Sequence, residues 1–298
     1  MAISTKIIKA KIKSVSNIKK ITKAMEMVAA SKMKKTVNRA LSTRPYATLF
    51  LELLKNITKN NYYNHPFLVE RQSGQILFII ISANKGLCGG FNVSVAKFFS
   101  KIIAGLEPAD FELVTIGKRS ENIARRLSKK PLASFIDISD KPEERDLKPV
   151  SSFIQDEFKT GRFKEVRIIY NGFISTLSYK ALDRPLLPVT VGSVTRSIAE
   201  LGEVAKNPAV ETESLAQYLF EPGEEEVLDK ILPLILDVLI YQAFLESLAS
   251  EYSARMIAMK NASDNADNLV SELEIGYNQA RQAAITQEIA EIVSGSNI

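Results

Sequence analysis

Hydrophobic residues recur by threes and fours along the C-terminal part of the chain. From Leu245 to Ala284, eleven such steps cover 39 residues, about 3.5 residues per step, the spacing of a helix that packs against a partner in a supercoil. Between Leu234 and Val293 there is no proline and one glycine, Gly276. The pattern predicts one helix about 90 Å long at ~1.5 Å per residue. Its seam positions are Leu245, Leu248, Tyr252, Met256, Met259, Ala262, Ala266, Val270, Leu273, Tyr277, Ala280 and Ala284.

The N-terminal part shows a similar alternation and predicts a second long helix. No breaker interrupts it before Pro45, where we expect a kink, and the apolar pattern continues beyond that proline towards Asn60. The apolar positions that define the expected seam of this helix are Ile8, Ile12, Val15, Ile18, Met25 and Val28.

The middle of the chain has a different pattern. Residues 76–82 form an apolar run without helical period, typical of a buried strand, and a glycine-rich turn at 83–91 follows it. A helical pattern then extends to about Ile103. A strand at 112–117, a helix at about 119–129 and a strand at 166–173 continue the alternation, which predicts a small parallel α/β (Rossmann-like) domain.

These patterns divide the chain into three parts. We expect an N-terminal coiled-coil helix over 1–60, a central α/β domain over 74–220 and a C-terminal coiled-coil helix over 226–295. The predicted fold class is therefore α/β plus a long coiled coil.

Charge suggests how the two terminal helices are arranged. Residues 1–35 hold ten lysines and one glutamate, whereas residues 226–298 hold four basic and eleven acidic residues. A basic segment is typical of proteins that bind nucleic acid, an anionic membrane or an acidic protein. Because the second arm is acidic, we expect the two helices to pair with each other, antiparallel.

Composition excludes several classes of protein. The 298 residues are 46% hydrophobic and 24% charged, ordinary for a soluble globular chain. The single cysteine, Cys88, and the single histidine, His65, cannot form an internal disulfide or a usual zinc site. The lysine-rich first 20 residues do not resemble a signal peptide, and the apolar stretch 231–240 is shorter than a membrane span.

The glycine-rich turn is the place where a phosphate-binding loop would lie. Its glycines, Gly86, Gly89 and Gly90, match neither the dinucleotide-binding spacing nor the Walker spacing with its lysine and hydroxyl. We therefore interpret it as a tight turn that needs backbone freedom, with Cys88 as a small packed residue. No catalytic, cofactor or metal site is predicted.

Four segments carry a family resemblance. ITKAMEMVAASKMKK from Ile21, KGLCGGFN after the first strand, ARMIAMKNASDNA on the last helix and ARQAAITQEIAEIVSG near its end resemble the gamma subunit of the F-type ATP synthase. They occur in the family's order from residue 21 to residue 295. The family usually has an acidic residue before the glycine turn, where this chain has Ala83-Asn84-Lys85.

The resemblance implies a rotor. In that family the terminal helices form a shaft inside a ring of alpha and beta subunits, and the α/β domain lies at the base with the epsilon subunit on the membrane c-ring. Proton flow turns the shaft and drives ATP synthesis or hydrolysis at the beta subunits. The resemblance implies no catalytic activity and no cofactor for this subunit, and a peripheral position on the cytoplasmic face of a bacterial plasma membrane.

The resemblance also implies contact residues. Stator contacts are expected from one group near the N-terminus and one near the C-terminus: Met25, Lys32, Lys34, Lys35, Arg281, Gln282, Thr286 and Glu288. The segment 218-YLFEPG-223 implies that Tyr218 and Glu221 touch the membrane ring.

Two other classes of function remain open from the residues themselves. A basic helix on a long coiled coil could be a nucleic-acid-binding or scaffolding protein with lysine contacts to phosphates. Against this, residues 21–35 lack aromatic or amide side chains for base readout, and the acidic helix would place negative charge beside a phosphate. An independent enzyme on the α/β domain is the third possibility, disfavoured by the lack of a candidate site.

Overall fold

The computed structural model describes residues 5–59, 65–190 and 224–295. Two long helices lie at the ends of this range, α1 (Thr5–Lys59) and α5 (Glu224–Gly295). Helix α1 continues through Pro45 as one element. The C-terminal helix begins at Glu224, before the proline-free stretch that starts at Leu234, and includes Pro233.

The central elements alternate as the sequence predicts. In chain order they are β1 (Gln75–Ile81), α2 (Phe91–Ile102), a short 3₁₀ turn (Ile103–Gly105), β2 (Phe111–Ile116), α3 (Lys118–Arg126), β3 (Ala133–Phe135), α4 (Glu144–Lys159), β4 (Phe163–Ser175) and β5 (Ser178–Leu187).

The five strands form one sheet in the order β3-β2-β1-β4-β5. Strand β1 is central and pairs in parallel with β2 and β4, and β3 pairs in parallel with β2. Strand β5 is antiparallel to β4 and closes the other edge. The sheet is therefore mixed rather than wholly parallel, and the predicted class of a central α/β domain with long terminal helices is confirmed.

Both faces of the sheet are covered. Leu77, Ile79 and Ile81 of β1 face a core formed with α4 and α5, while Phe78 and Ile80 face a second core formed with α2 and α3. This two-sided burial explains the absence of alternation in the 76–82 run, because a strand between two layers of helices is apolar on both sides.

Three elements were not predicted: the short strand β3, helix α4 and strand β5. Helix α4 has a helical apolar period and a reciprocal cap between Glu143 and Asp146, but Pro149 lies inside it. Strand β5 contains Pro185, and an edge strand tolerates proline because the missing N–H costs no bond on the open side. The proline inside α4 and the proline inside β5 each make the element hard to predict, because proline is normally rare at such positions.

The chain has two compact units. One comprises the described residues of Met1–Ser31 and Arg255–Ile298, where α1 and α5 are partners, and the other is Lys32–Ala254, which contains the sheet. In the second unit, Lys32 lies over the ring of Tyr252 and Thr43 donates to Gln242. Since the residue number rises along α1 as it falls along α5, the helices there are antiparallel.

Helix α5 is long and apolar enough to cross a membrane by length and composition over Glu226–Val293, and 72% of its most apolar window is buried inside the protein. The apolar part of this helix is therefore longer than the stretch 231–240 considered from the sequence alone. Core helices of globular proteins have the same properties, so length and composition alone indicate a membrane span only weakly.

Candidate functional site

The seam between α1 and α5 in the first unit follows the predicted spacing on α5. Tyr252, near the end of the second unit, is buried. In the first unit Met259 and Ala266 are buried and Ala284 is exposed. The seam positions between them and Ala284 are half-buried: Val270, Leu273, Tyr277 and Ala280. The periodic stripe therefore ends at Ala280, one step earlier than expected. Beyond it every described side chain of α5 is exposed up to Val293.

On α1 the predicted seam is correct at four positions and wrong at two. Ile8 is buried and Ile12, Val15 and Met25 are half-buried, but Ile18 and Val28 are exposed. The covered stripe continues from Val15 in alternating steps of four and three through Lys19, Thr22, Glu26 and Ala29. Steps of four and three keep one face of α1 turned towards its partner helix α5, and part of that face here consists of polar side chains.

An ion pair joins the two arms within the first unit. Lys19 Nζ binds Asp267 Oδ1. The pair connects the basic arm to the acidic arm, as the charge asymmetry predicts. Both side chains keep much of their surface in water, so the pair selects the alignment of the helices more than it adds stability.

The four C-terminal candidate residues lie together at the end of α5. Arg281, Gln282, Thr286 and Glu288 are all exposed. Thr286 donates its hydroxyl to the Gln282 carbonyl at 2.9 Å, a bond within the helix. In the described part of the chain, the side chains of Arg281, Gln282 and Glu288 form no hydrogen bond or ion pair, so their polar groups face outward.

The four N-terminal candidates differ from one another. Met25 is half-buried, whereas Lys34 and Lys35 are exposed and form no ion pair with the described residues. Lys32 is bound within the chain: its Nζ lies 2.6 Å from Asp140 Oδ2 and 5.5 Å from the centre of the Tyr252 ring. A partner that engages Lys32 must therefore compete with Asp140.

The Lys32 contact has an electrostatic consequence. The hydrogen bond from Lys32 lowers the pKa of Asp140 below its ordinary value of 3.8. Partial burial acts in the opposite direction, and the charges of Lys32 and Lys85 lower the pKa further. Asp140 therefore stays ionised and lies where α1, α5 and the glycine turn meet. Asp140 lies 108 residues from Lys32, and no sequence pattern points to the pair.

A buried polar network joins the sheet to both long helices in the second unit. Tyr170 on β4 donates to Glu246 Oε2 at 3.0 Å, and Gln242 Nε2 donates to Glu246 Oε1 at 2.9 Å. Gln242 also contacts α1 through the Ala40 carbonyl and the Thr43 hydroxyl. Arg184, also buried, lies with its guanidinium 5.4 Å from the Tyr170 ring centre. These residues were missed because polar side chains do not mark a core position in the hydrophobic pattern.

The glycine turn is fixed by backbone geometry and amide bonds. Gly89 has φ of 54°, as a tight turn requires, and Leu87 has φ of 62° although it is not glycine. Asn92 accepts from the Ala83 N–H through Oδ1 at 3.1 Å and donates to Cys88 Sγ at 3.2 Å. Cys88 is buried with Ala83, Phe91 and Ala254, which confirms that it is a packed residue.

His65 is engaged by two neighbours. Its Nδ1 accepts from the Phe67 N–H at 3.0 Å and its Nε2 lies 3.1 Å from Asp229, whereas Cys88 is held by Asn92. Among the described residues, no three His, Cys, Asp or Glu side chains are placed to hold a metal ion. The two expected membrane-ring contacts, Tyr218 and Glu221, lie outside the described residues.

Comparison with known proteins identifies the family. The family model described as ATP synthase matches residues 4–297. The ATP synthase gamma chain of Stenotrophomonas maltophilia is 39% identical over 299 residues, covering 97% of each chain, and that of Pasteurella multocida is 40% identical over 293 residues with the same coverage. The chain belongs to the ATP synthase gamma-chain family. It is therefore a subunit of a membrane-associated ATP synthase.

Solved structures agree with this family assignment. The central stalk and c-ring structure of the Tetrahymena thermophila mitochondrial ATP synthase contains a chain that is 26% identical with a TM-score of 0.61, covering 82% of this chain and 99% of that one. A chain of the Euglena gracilis mitochondrial ATP synthase is 19% identical with a TM-score of 0.66 and supports the fold alone. The gamma-chain fold thus extends over both long helices and the central sheet.

Proposed function

We propose that this gamma-family chain is the central-stalk rotor of an ATP synthase. It turns inside a ring of alpha and beta subunits and couples proton flow through the membrane sector to ATP synthesis or hydrolysis at the beta subunits. The observation that carries the proposal is the match over residues 4–297, because it includes both terminal helices and the central domain rather than one shared fold element.

The functional division follows the three segments expected from the sequence. Residues 1–60 and 226–295 form the turning shaft, and residues 74–220 form the base that meets the epsilon subunit and the c-ring. The ion pair between Lys19 and Asp267 supports the pairing of the two helices in the shaft. The network around Glu246 supports a firm attachment of both helices to the base.

The stator contacts are proposed from exposure and charge. Lys34 and Lys35 present exposed ammonium groups, and Arg281 and Gln282 present outward polar groups near the end of α5. Met25, Thr286 and Glu288 complete the set, and Lys32 joins it when its bond to Asp140 opens. Tyr218 and Glu221 remain the proposed contacts to the membrane ring.

The subunit itself has no catalytic role in this proposal. The glycine turn has no Walker lysine and hydroxyl, and Cys88 and His65 are each engaged with other neighbours. We therefore expect the purified chain to show no ATP hydrolysis. Turnover by the pure chain that is lost on changing Lys85 or Cys88 would contradict this.

Location follows from assembly. The chain binds the membrane through the complex, on the cytoplasmic face of a bacterial plasma membrane. Its curated relatives in Stenotrophomonas maltophilia and Pasteurella multocida are bacterial, which supports this location.

Rotation in the assembled complex tests the proposal. Lys101 is exposed near the end of α2, and Cys88 is 2% exposed, so a Lys101→Cys variant carries one accessible thiol for a bead or fluorophore. With the alpha and beta subunits fixed to a surface, ATP should turn the probe in one direction. A probe that stays still in a complex that hydrolyses ATP would contradict a rotor.

A further inference from the structure

A basic cavity lies between the glycine turn and the start of α3, and its lining contains no described residue of either long helix. It measures about 620 Å³ and is lined by Asn84, Lys85, Gly86, Lys118, Arg119, Glu121, Asn122 and Arg125. It opens where the parallel strands β1 and β2 end. Ligands of open α/β sheets bind at this carboxyl edge, and the volume is within the usual range for a small-molecule site.

Charge in the cavity is strongly one-sided. Four residues of the lining are cationic, Lys85, Lys118, Arg119 and Arg125, and one, Glu121, carries a carboxylate. The charge of Lys85 also acts on Asp140, outside the lining. In the part of the chain that the structure describes, the side chains of Lys118, Arg119, Glu121 and Arg125 form no hydrogen bond or ion pair. Glu121 therefore forms no ion pair with its cationic neighbours, and an anion of several charges would reduce the repulsion among them.

The walls of the cavity are held in place before any ligand arrives. Asn84 Oδ1 accepts from the Lys118 N–H at 2.9 Å, and the Ala83 carbonyl accepts from the Arg119 N–H at 3.1 Å. At Gly117, φ is 91°, and an added Cβ would lie 2.1 Å from the Ser82 carbonyl oxygen. Only glycine permits this approach, which fixes α3 against the end of β1.

The same bonds determine which groups could hold an anion. Because the first N–H groups of α3 are occupied by Asn84 and Ala83, the helix terminus offers little to a phosphate, and the side chains must provide the binding. The guanidinium of Arg119 lies close to the glycine turn: a Cβ added at Gly86 would be 3.2 Å from Arg119 Nη2. Arg119 is therefore the side chain best placed to bind an anion between the turn and α3. The guanidinium group of an arginine can donate two parallel hydrogen bonds to phosphate oxygens, so the two arginines of the lining can bind phosphate groups.

We propose that this cavity binds the di- or triphosphate group of a small anion. The chemistry is shared by free pyrophosphate or tripolyphosphate and by a nucleoside triphosphate, and the two lysines and two arginines supply charge for two or more phosphates. This site is separate from the proposed shaft contacts and does not depend on rotation.

Calorimetric titration of the full-length chain tests the site. Pyrophosphate, tripolyphosphate and ATP are each titrated at constant ionic strength. Saturable binding of all three indicates that the phosphate chain suffices, whereas binding of ATP alone assigns the site to a nucleotide. No saturable binding of any of them would overturn the proposal.

Three variants make the test specific to the cavity. Arg119→Gln with Arg125→Gln should weaken binding at least about tenfold, because two charge-assisted contacts are lost. Glu121→Gln should strengthen it by about threefold, since it removes the only carboxylate. Arg126→Gln is the matched control: Arg126 is exposed on the same helix but outside the lining.

The outcomes separate a site from a merely basic surface. Equal losses in the Arg126→Gln and the double variant, with circular dichroism unchanged, would show nonspecific attraction and overturn the proposal. Preference for an acidic peptide over tripolyphosphate at equal charge would also overturn it, because the cavity would then be a protein-docking surface.

Discussion

Tyr170 on β4 donates its hydroxyl to the carboxylate of Glu246 on α5, with 3.0 Å between the two oxygens and both residues buried. A carboxylate in a core is costly unless hydrogen-bond donors surround it. Here the donors come from different elements, Tyr170 from the sheet and Gln242 from α5 itself. The bond thus connects the central sheet to the helix that extends into the first unit.

Tyr170→Phe should lower the free energy of unfolding by about 1–3 kcal/mol, because Glu246 loses one donor while its position stays buried. Urea unfolding of the full chain measures this. The matched control is Tyr46→Phe, at an exposed tyrosine of α1, which should change stability by less than about 0.5 kcal/mol. Equal effects of the two changes would show that the buried hydroxyl contributes nothing.

Asp140→Asn should destabilise the chain at neutral pH, but only by about 0.5 kcal/mol, since Lys32 and Asp140 are 40% and 49% exposed. The hydrogen bond from Lys32 lowers the pKa of folded Asp140 below 3.8, so its contribution is fully present above pH 3.8. It is lost as the pH falls through the lower, folded pKa.

Urea unfolding at several pH values checks this linkage. The difference between wild type and Asp140→Asn should be constant from pH 7 to about pH 5 and shrink below pH 3.8. Asp137→Asn is the control, because Asp137 is exposed and forms no hydrogen bond or ion pair in the described chain. A difference that grows towards acid pH would contradict the prediction.

Lys19→Glu should destabilise the pair of helices in the first unit, because it places like charges at the site of the Asp267 contact. The loss should be about 0.2–1 kcal/mol and smaller at high salt. Adding Asp267→Lys restores the attraction with reversed signs. Thermal unfolding of the single and double variants measures the recovery.

The control for this charge reversal is Lys20→Glu, since Lys20 is the exposed neighbour on the same helix and forms no ion pair with described residues. Asp267→Lys should not rescue it. If the double reversal at 19 and 267 stays as unstable as Lys19→Glu alone, the two side chains are not neighbours in solution.

Arg281→Ala with Gln282→Ala should leave the stability of the chain within about 0.5 kcal/mol, because both side chains are exposed. In the assembled complex we expect ATP turnover to fall severalfold. A charged hydrogen bond buried against a partner contributes about 1.5–3 kcal/mol, and one left in water far less.

The control for this double change is Asn278→Ala with Gln279→Ala, a polar exposed pair about one turn earlier on α5. It should keep turnover near that of the unchanged complex. Turnover and assembly that are equal in both double variants would show that Arg281 and Gln282 are simply solvated.

The sequence by itself determines the two long helices, the central strands β1, β2 and β4, and the family. These features depend on local patterns: a period near 3.5 residues for a paired helix, an unbroken apolar run for a strand covered on both faces, and motifs whose letters can be matched directly. The opposite charges of the arms likewise predict their pairing, which the Lys19–Asp267 contact confirms.

Only the tertiary structure decides which face of α1 is covered and which polar residues have partners. Ile18 and Val28 fit an apolar pattern yet are exposed, while Lys19 and Thr22 are half-buried. Neighbouring residues of a helix point about 100° apart, and packing against the partner helix selects which stripe is covered. Lys32 and Asp140 are 108 residues apart, and Tyr170 and Glu246 are 76 residues apart. Such bonds depend on where distant elements pack, and helices such as α4 persist despite an internal proline because burial of one face outweighs the lost backbone bond.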